Sequence, residues 1–173
     1  MRDLVIILTS LSVLGIVISV SHSTKKPSSF SPKKNKRYIE LCPMDGNCLF
    51  TAIGSAVGKK HSTVRRSIVR EMWKNKSNYE PFFTPSGLNT GNKNVDKIDK
   101  IDSTYSSYLN RMLEKGQWGG EMEIVAASNL YKRPVIVFSN NYAPKYFNET
   151  KYKTKSIEIF YNGSNHYDSV LEK

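Results

Sequence analysis

The chain has 173 residues, 39% of them hydrophobic and 11% aromatic, which suffices for one compact domain with its own core and is too little for two. Its formal net charge of +11 divides unevenly: residues 1–37 carry seven Lys/Arg against Asp3, a net of +6, and the remainder carries 19 against 14, a net of +5. Such a diffuse excess, without clustered Lys/Arg interleaved with stacking aromatics, argues against a phosphate-binding groove, so nucleic acid is not an expected partner.

In chain order, residues 1–24 come first, with an uncharged run from Leu4 to Val20 at the boundary between a signal-peptide core and a minimal membrane span. Ser19, Ser21 and Ser23 would permit cleavage and secretion. The flanking charges favour an uncleaved anchor: Arg2 and Asp3 cancel before the run, while Lys25, Lys26, Lys33, Lys34, Lys36 and Arg37 follow it and hold the downstream domain in the cytosol. Residues 25–37 form a Ser/Pro/Lys-rich linker too poor in apolar surface to order itself. The globular domain is therefore expected over residues 38–173.

Only two cysteines are present, Cys42 and Cys48, fewer than a small secreted domain stapled by disulfides would carry. Neither a CxxC nor a paired Cys/His spacing occurs, so no structural metal is expected.

Behind Cys48 an apolar helix runs roughly to Val57, with Gly58 as its stop and Leu49, Phe50 and Ile53 as core anchors. Ser62 or Thr63 is placed to cap a second helix, in which Val64, Ile68 and Met72 recur at helical spacing. The polar, Pro/Gly-punctuated stretch from Asn75 to Asn94 reads as a loop. A third helix begins near Ser103 with the stripe Tyr105, Tyr108, Leu109, Met112 and Leu113 and stops at Gly116; a fourth covers roughly Glu121 to Tyr131. The periodicity then changes. "RPVIVF" reads as a buried strand, "KSIEIFY" as an alternating one, "NGSN" as a hairpin turn and "HYDSVL" as the returning strand. Helices first and strands last imply an α+β fold, or an α/β/α-like arrangement around a small, mostly antiparallel sheet.

The stretch Met44 to Phe50, "MDGNCLF", raises the question of chemistry. A nucleophilic cysteine needs a lowered thiol pKa, donors for an oxyanion and a nearby base. A cysteine opening a helix has unpaired N–H groups and the dipole beside it, which can bring a thiol to about 3.5 to 7.5. The backbone amides of Asp45, Gly46, Asn47 and Cys48 are the candidate oxyanion donors. Of the two histidines in the domain, His61 sits beside Lys59 and Lys60, whereas His166 follows a tight turn with Asp168 two residues on. In a strand that spacing is about 6.5 to 7 Å on one face, within reach of a carboxylate that orients an imidazole. Taken singly, each feature has a plainer reading: a buried structural cysteine, a bridge between Cys42 and Cys48, a histidine at a strand end. The conjunction points to a Cys/His/Asp site.

Three segments in order, "DGNCLFTAI" from Asp45 to Ile53, "WGGEMEIVAAS" from Trp118 to Ser128 and "NHYDSV" from Asn165 to Val170, resemble the motifs of the ovarian tumour (OTU) cysteine proteases, a family of deubiquitinating enzymes in the papain-like superfamily. The resemblance implies Cys48 as nucleophile, His166 as general base and then acid, and Asp168 as the orienting acid. It gives Asp45 a place in the oxyanion loop or as a catalytic acid. Trp118, Gly119 and Glu123 match the middle motif and are read as structural: a packing ring, a tight turn and a polar contact of the fourth helix. Thr51 departs from the arginine often found after the first motif. The implied partner is ubiquitin or polyubiquitin, with no metal or cofactor; the alternatives are a peptidase of the same fold acting on another ubiquitin-like modifier or a polyprotein, or a non-enzymatic ubiquitin-binding or basic adaptor module. The leader separately makes a membrane an expected partner. A second ubiquitin surface would be built from variable loops such as Tyr79 to Asp96. The sequons at Asn75, Asn148 and Asn162 are expected to be unused, since a glycan on Asn162 would crowd His166.

Overall fold

The computed structural model describes residues 36–85 and 104–172; the leader 1–24, most of the linker and the stretch 86–103 lie outside them. No helix among the described residues is long and apolar enough to cross a membrane.

Strand β1, Arg37–Glu40, leads into the loop before helix α1, Cys48–Val57, and helix α2, His61–Lys74. Two single-turn 3-10 segments, Lys76–Asn78 and Glu80–Phe82, follow. Helices α3, Tyr105–Met112, and α4, Glu121–Tyr131, precede strands β2, Val135–Ser139, β3, Lys145–Phe147, β4, Ile157–Tyr161, and β5, Tyr167–Glu172. The five strands form one sheet in the order β1-β5-β4-β2-β3, antiparallel at every pairing except β2 with β4. The fold is α+β.

Helix α1 lies along β5 and β4, α4 along β2 and β3, and α2 packs across α1 and α4. The apolar face of α1, with Leu49, Phe50 and Ile53, meets Val64, Ile68 and Met72 of α2, Ile124 of α4, and Val135, Ile157 and Ile159 of the sheet in one buried core. Burying each such side chain stabilises the fold by about 1.5 to 3 kcal/mol. Arg133 pins the far end of α1: its guanidinium donates to Ala56 O at 2.9 Å, Lys155 O at 2.7 Å and Ser156 O at 2.7 Å, tying the last turn of the helix to the start of β4.

The sequence expectations differ from the fold in five places. Helix α2 begins two residues early, because the Lys60 carbonyl already accepts from the Thr63 and Val64 amides, so neither Ser62 nor Thr63 caps it. Helix α3 starts at Tyr105 with Thr104 as its cap, Thr104 Oγ1 accepting from Ser107 N at 3.1 Å, and ends at Met112; Leu113 falls off the buried stripe. Strands β1 and β3 sit at the sheet edges and are too short and polar to show periodicity. Strand β4 does not alternate: Ile157, Glu158 and Ile159 are all buried, with Glu158 held by Arg37 at 2.9 Å. Tyr79 belongs to the core rather than to a solvent-facing loop, its hydroxyl donating to Glu71 Oε1 at 3.2 Å and accepting from Asn129 Nδ2 at 3.0 Å.

Candidate active site

Cys48 is the first residue of α1. The preceding Asn47, a residue type that ordinarily caps a helix, makes no cap bond here, because its side chain is engaged elsewhere: Nδ2 donates to Asp45 Oδ2 at 3.0 Å and Oδ1 accepts from Gly116 N at 3.1 Å. The first-turn N–H groups and the helix dipole are thereby left to act on the sulfur and on any oxyanion beside it. The last apolar residues of the motif, Leu49 and Phe50, are fully buried, so the position of the sulfur is set by the core.

The loop ahead of Cys48 is built around its own acid. Asp45 Oδ1 accepts from the Asn47 backbone N–H at 2.9 Å, and the bonds from Asn47 hold the Asp45 carboxyl below its ordinary pKa. The Asn47 amide is thereby committed to Asp45, which leaves the amides of Asp45, Gly46 and Cys48 as the candidate oxyanion donors. Gly46 has φ +76°, and a Cβ there would lie 2.0 Å from the Gly116 carbonyl oxygen; only glycine allows the two loops to meet so closely.

His166 ends the hairpin turn between β4 and β5. Asn162 Oδ1 accepts the amides of Ser164 at 2.9 Å, Asn165 at 3.0 Å and His166 at 3.1 Å, while Asn162 N donates to His166 O at 3.0 Å. One asparagine side chain thus closes the turn around the histidine. The ring Nε2 lies 3.0 Å from Asp168 Oδ1, an oxygen that also accepts the Cys42 N–H at 2.8 Å. With Nε2 committed to the carboxylate, Nδ1 is the ring nitrogen able to exchange a proton with a thiol. Helix α1 packs along β5, and a cleft of about 220 Å³ is lined by Cys48, Trp118, Gly119, Tyr161, Asn165 and Tyr167. The cysteine and the residues on either side of His166 therefore open on the same space.

The second sequence motif forms the wall of that cleft. Trp118 is 64% exposed, so it is not the packing ring expected; it stands at the rim of the site. A Cβ on Gly119 would lie 2.8 Å from Leu49 Cδ2 and 3.0 Å from Phe50 Cζ, so the wall touches the helix that carries the thiol. Glu123 is buried beneath, accepting from Gly120 N at 2.7 Å and bonded to the Tyr108 hydroxyl at 2.6 Å; burial pushes its carboxyl pKa up.

The two cysteines are both free thiols and do not bridge. Burial raises the Cys42 thiol, and its sulfur lies 3.5 Å from Ser169 Oγ, an inert setting. His61 opens α2 and is not among the residues that line the cleft, although its charge acts on Asp45 in the loop ahead of Cys48. Among the described residues no group of three His, Cys, Asp or Glu side chains is arranged to hold a metal ion.

Sequence reasoning missed Arg65, Asn162 and the Cys42 amide. Arg65 was detectable in principle: it stands next to Val64 and one turn before Val69, on the buried face of α2, where a charged residue is out of place. The other two act through loop geometry that carries no periodic signal.

Residues 43–169 match the family model described as OTU-like cysteine protease. The chain is 28% identical over 137 residues to OTU domain-containing protein 4 of Mus musculus, covering 77% of this chain and 11% of that protein. It is 31% identical over 134 residues to the OVARIAN TUMOR DOMAIN-containing deubiquitinating enzyme 7 of Arabidopsis thaliana, covering 75% of this chain and 31% of that one. A solved ovarian tumour domain in complex with ubiquitin superposes with a TM-score of 0.62 at 22% identity, covering 81% of this chain and 72% of the other, a likeness of fold. The chain thus spans well under half the length of the two curated relatives.

Proposed function

The chain belongs to the OTU-like cysteine protease family, and on that premise we propose that it is a deubiquitinating enzyme, hydrolysing amide bonds after the C-terminal Gly-Gly of ubiquitin. The observation that carries the reading is the pairing of His166 with Asp168, with the neighbours of that histidine, Asn165 and Tyr167, lining the same cleft as Cys48, which opens a helix free of any side-chain cap.

In the reaction, His166 takes the Cys48 proton, and the thiolate attacks the glycine carbonyl carbon. The Asp45, Gly46 and Cys48 amides receive the negative charge that develops on its oxygen. The imidazolium, steadied by Asp168, returns its proton to the leaving lysine amine, giving a thioester. Water attacks that thioester with His166 again as base, releasing the carboxylate and the thiol. A wall in which Gly119 and Gly120 present no side chains suits a tail without side chains at its last two positions.

The test uses ubiquitin bearing a fluorogenic amide at its C-terminus, beside the same amide on other ubiquitin-like modifiers. The wild-type chain should release the fluorophore from ubiquitin, and Cys48→Ala should be slower by about 10⁴-fold or more. Release from a different modifier alone would move the substrate assignment, and equal release by Cys48→Ala would end the protease reading.

The uncharged run from Leu4 to Val20 and the lysines that follow support a second, topological part of the proposal: the leader anchors this domain on the cytosolic side of a membrane. Carbonate extraction of the full chain from cells should leave it in the membrane pellet; recovery in the medium without residues 1–24 would show secretion instead.

A further inference from the structure

Arg65 is 3% exposed and sits in the middle of α2, yet no carboxylate touches it. Its acceptors are all neutral. Nη1 donates to Met112 O at 3.0 Å, and Nη2 donates to Asn47 Oδ1 and Gln117 O, both at 2.8 Å, with Gly46 O at 3.3 Å as a weaker third. The guanidinium also stacks on the Phe50 ring, 3.9 Å from its centroid. A buried cation whose hydrogen bonds all go to neutral groups, with the Glu123 and Asp45 carboxylates acting on it only from beyond contact, is costly to desolvate, and an apolar residue of similar volume would ordinarily serve stability as well or better.

What the cation does hold together is the site. Asn47 and Gly46 lie in the loop that carries the candidate oxyanion donors; Gln117 opens the segment that continues into Trp118 and Gly119, the cleft wall; Phe50 is on the helix that begins with Cys48. A chain of bonds runs outward from the guanidinium through Asn47 to the Asp45 carboxylate. The outer side of the same loop has no comparable support, since Met44 and Asp45 face solvent. Oxyanion donors work only when placed within about 2.7 to 3.1 Å of the oxygen, and a misplacement of about 1 Å can cost about 10²-fold in rate.

We propose that Arg65 is a positioning residue, a guanidinium clasp beneath the active site that fixes the oxyanion loop and the Gln117 to Gly119 wall against the nucleophile helix. The proposal rests on the protease reading for its effect on rate, but not for its effect on the loops. Lysine cannot replace it fully, because one ammonium cannot reach acceptors on Met112, Asn47 and Gln117 in the fixed fork that a guanidinium provides.

Two variants, Arg65→Lys and Arg65→Met, test it, the second filling the same space without charge. Amide hydrogen exchange on the protein alone should quicken about tenfold or more in residues 44–47 and 116–120 of Arg65→Met, with the β4 and β5 amides unchanged. With ubiquitin carrying a fluorogenic amide, kcat should fall about 10²-fold while KM and the affinity of a Cys48→Ala background for ubiquitin stay within about threefold, and Arg65→Lys should lie between. Unchanged exchange in both loops, or exchange raised equally in the sheet, would overturn the clasp. So would a kcat within threefold of wild type, or a loss that follows KM. An inactive wild type would instead sink the deubiquitinase reading, and the exchange data would still decide the role of Arg65.

Discussion

His166 Nε2 and Cys42 N both converge on one oxygen, Oδ1 of Asp168, at 3.0 and 2.8 Å. The second bond determines what a substitution does. In Asp168→Asn the Cys42 N–H keeps an oxygen at that point, so the amide group is prevented from turning its NH2 toward the imidazole, and orientation survives while the charge is lost. Asp168→Ala loses both. We expect kcat to fall about 10-fold in the first variant and about 10³-fold in the second, against the 10² to 10⁴ typical of a general base. Equal losses in steady-state rates on ubiquitin substrates would show that the Cys42 contact does not orient the carboxylate.

Asn162 should behave as a structural support of His166. Asn162→Ala removes an acceptor for three amides and is expected to destabilise the domain by about 1 to 3 kcal/mol and to lower kcat about 10-fold. Asn162→Asp keeps the acceptor and should remain close to wild type. Urea melts together with rates decide; an aspartate variant as impaired as alanine would show that the turn is held by something else.

Gly119→Ala would bring a methyl group within 2.8 Å of Leu49 and 3.0 Å of Phe50, both buried and unable to withdraw. Overpacking of this kind costs about 1 to 3 kcal/mol. Because both residues belong to the first turn of α1, the strain reaches Cys48, and activity should fall further than the folded fraction does. Activity preserved in a correctly folded Gly119→Ala would contradict the coupling between wall and nucleophile.

Glu123 gives a pH signature. Burial raises its folded-state pKa above the unfolded value of about 4.3, so its contribution to stability is fully present below that pH and is lost as pH rises through the raised value. Glu123→Gln retains an oxygen for Gly120 N and an NH2 for the Tyr108 hydroxyl, with no proton to lose. The difference in unfolding free energy between variant and wild type, measured by urea from pH 4 upward, should grow in favour of the variant as pH rises. A difference independent of pH would mean that Glu123 titrates in the folded protein as it does in the unfolded chain.

How much of this was legible beforehand follows from which interactions are local. The bounds of α1 and α4 could be read directly, because an apolar stripe, a Gly58 stop and a Tyr131 end are signals within one helix. The Cys48, His166 and Asp168 candidates could be named because residue type and two-residue spacing suffice for them. Edge strands β1 and β3 could not, since they take their shape from β5 and β2. The clasp at Arg65 joins acceptors 18, 47 and 52 residues away, distances at which one chain's sequence gives no pairing. The exposure of Trp118 was missed for the same reason: an aromatic residue beside two glycines reads as core until the cleft it borders exists.

The most direct measurement is the intact mass of the protein after incubation with ubiquitin whose C-terminal glycine carries a thiol-reactive electrophile. The wild-type chain should gain the mass of one ubiquitin, peptide mapping should place it on Cys48 and leave Cys42 unmodified, and Cys48→Ala should gain nothing. A chain that stays unmodified, or an adduct that maps to Cys42, would contradict the assignment of Cys48 as the nucleophile of a ubiquitin-directed protease.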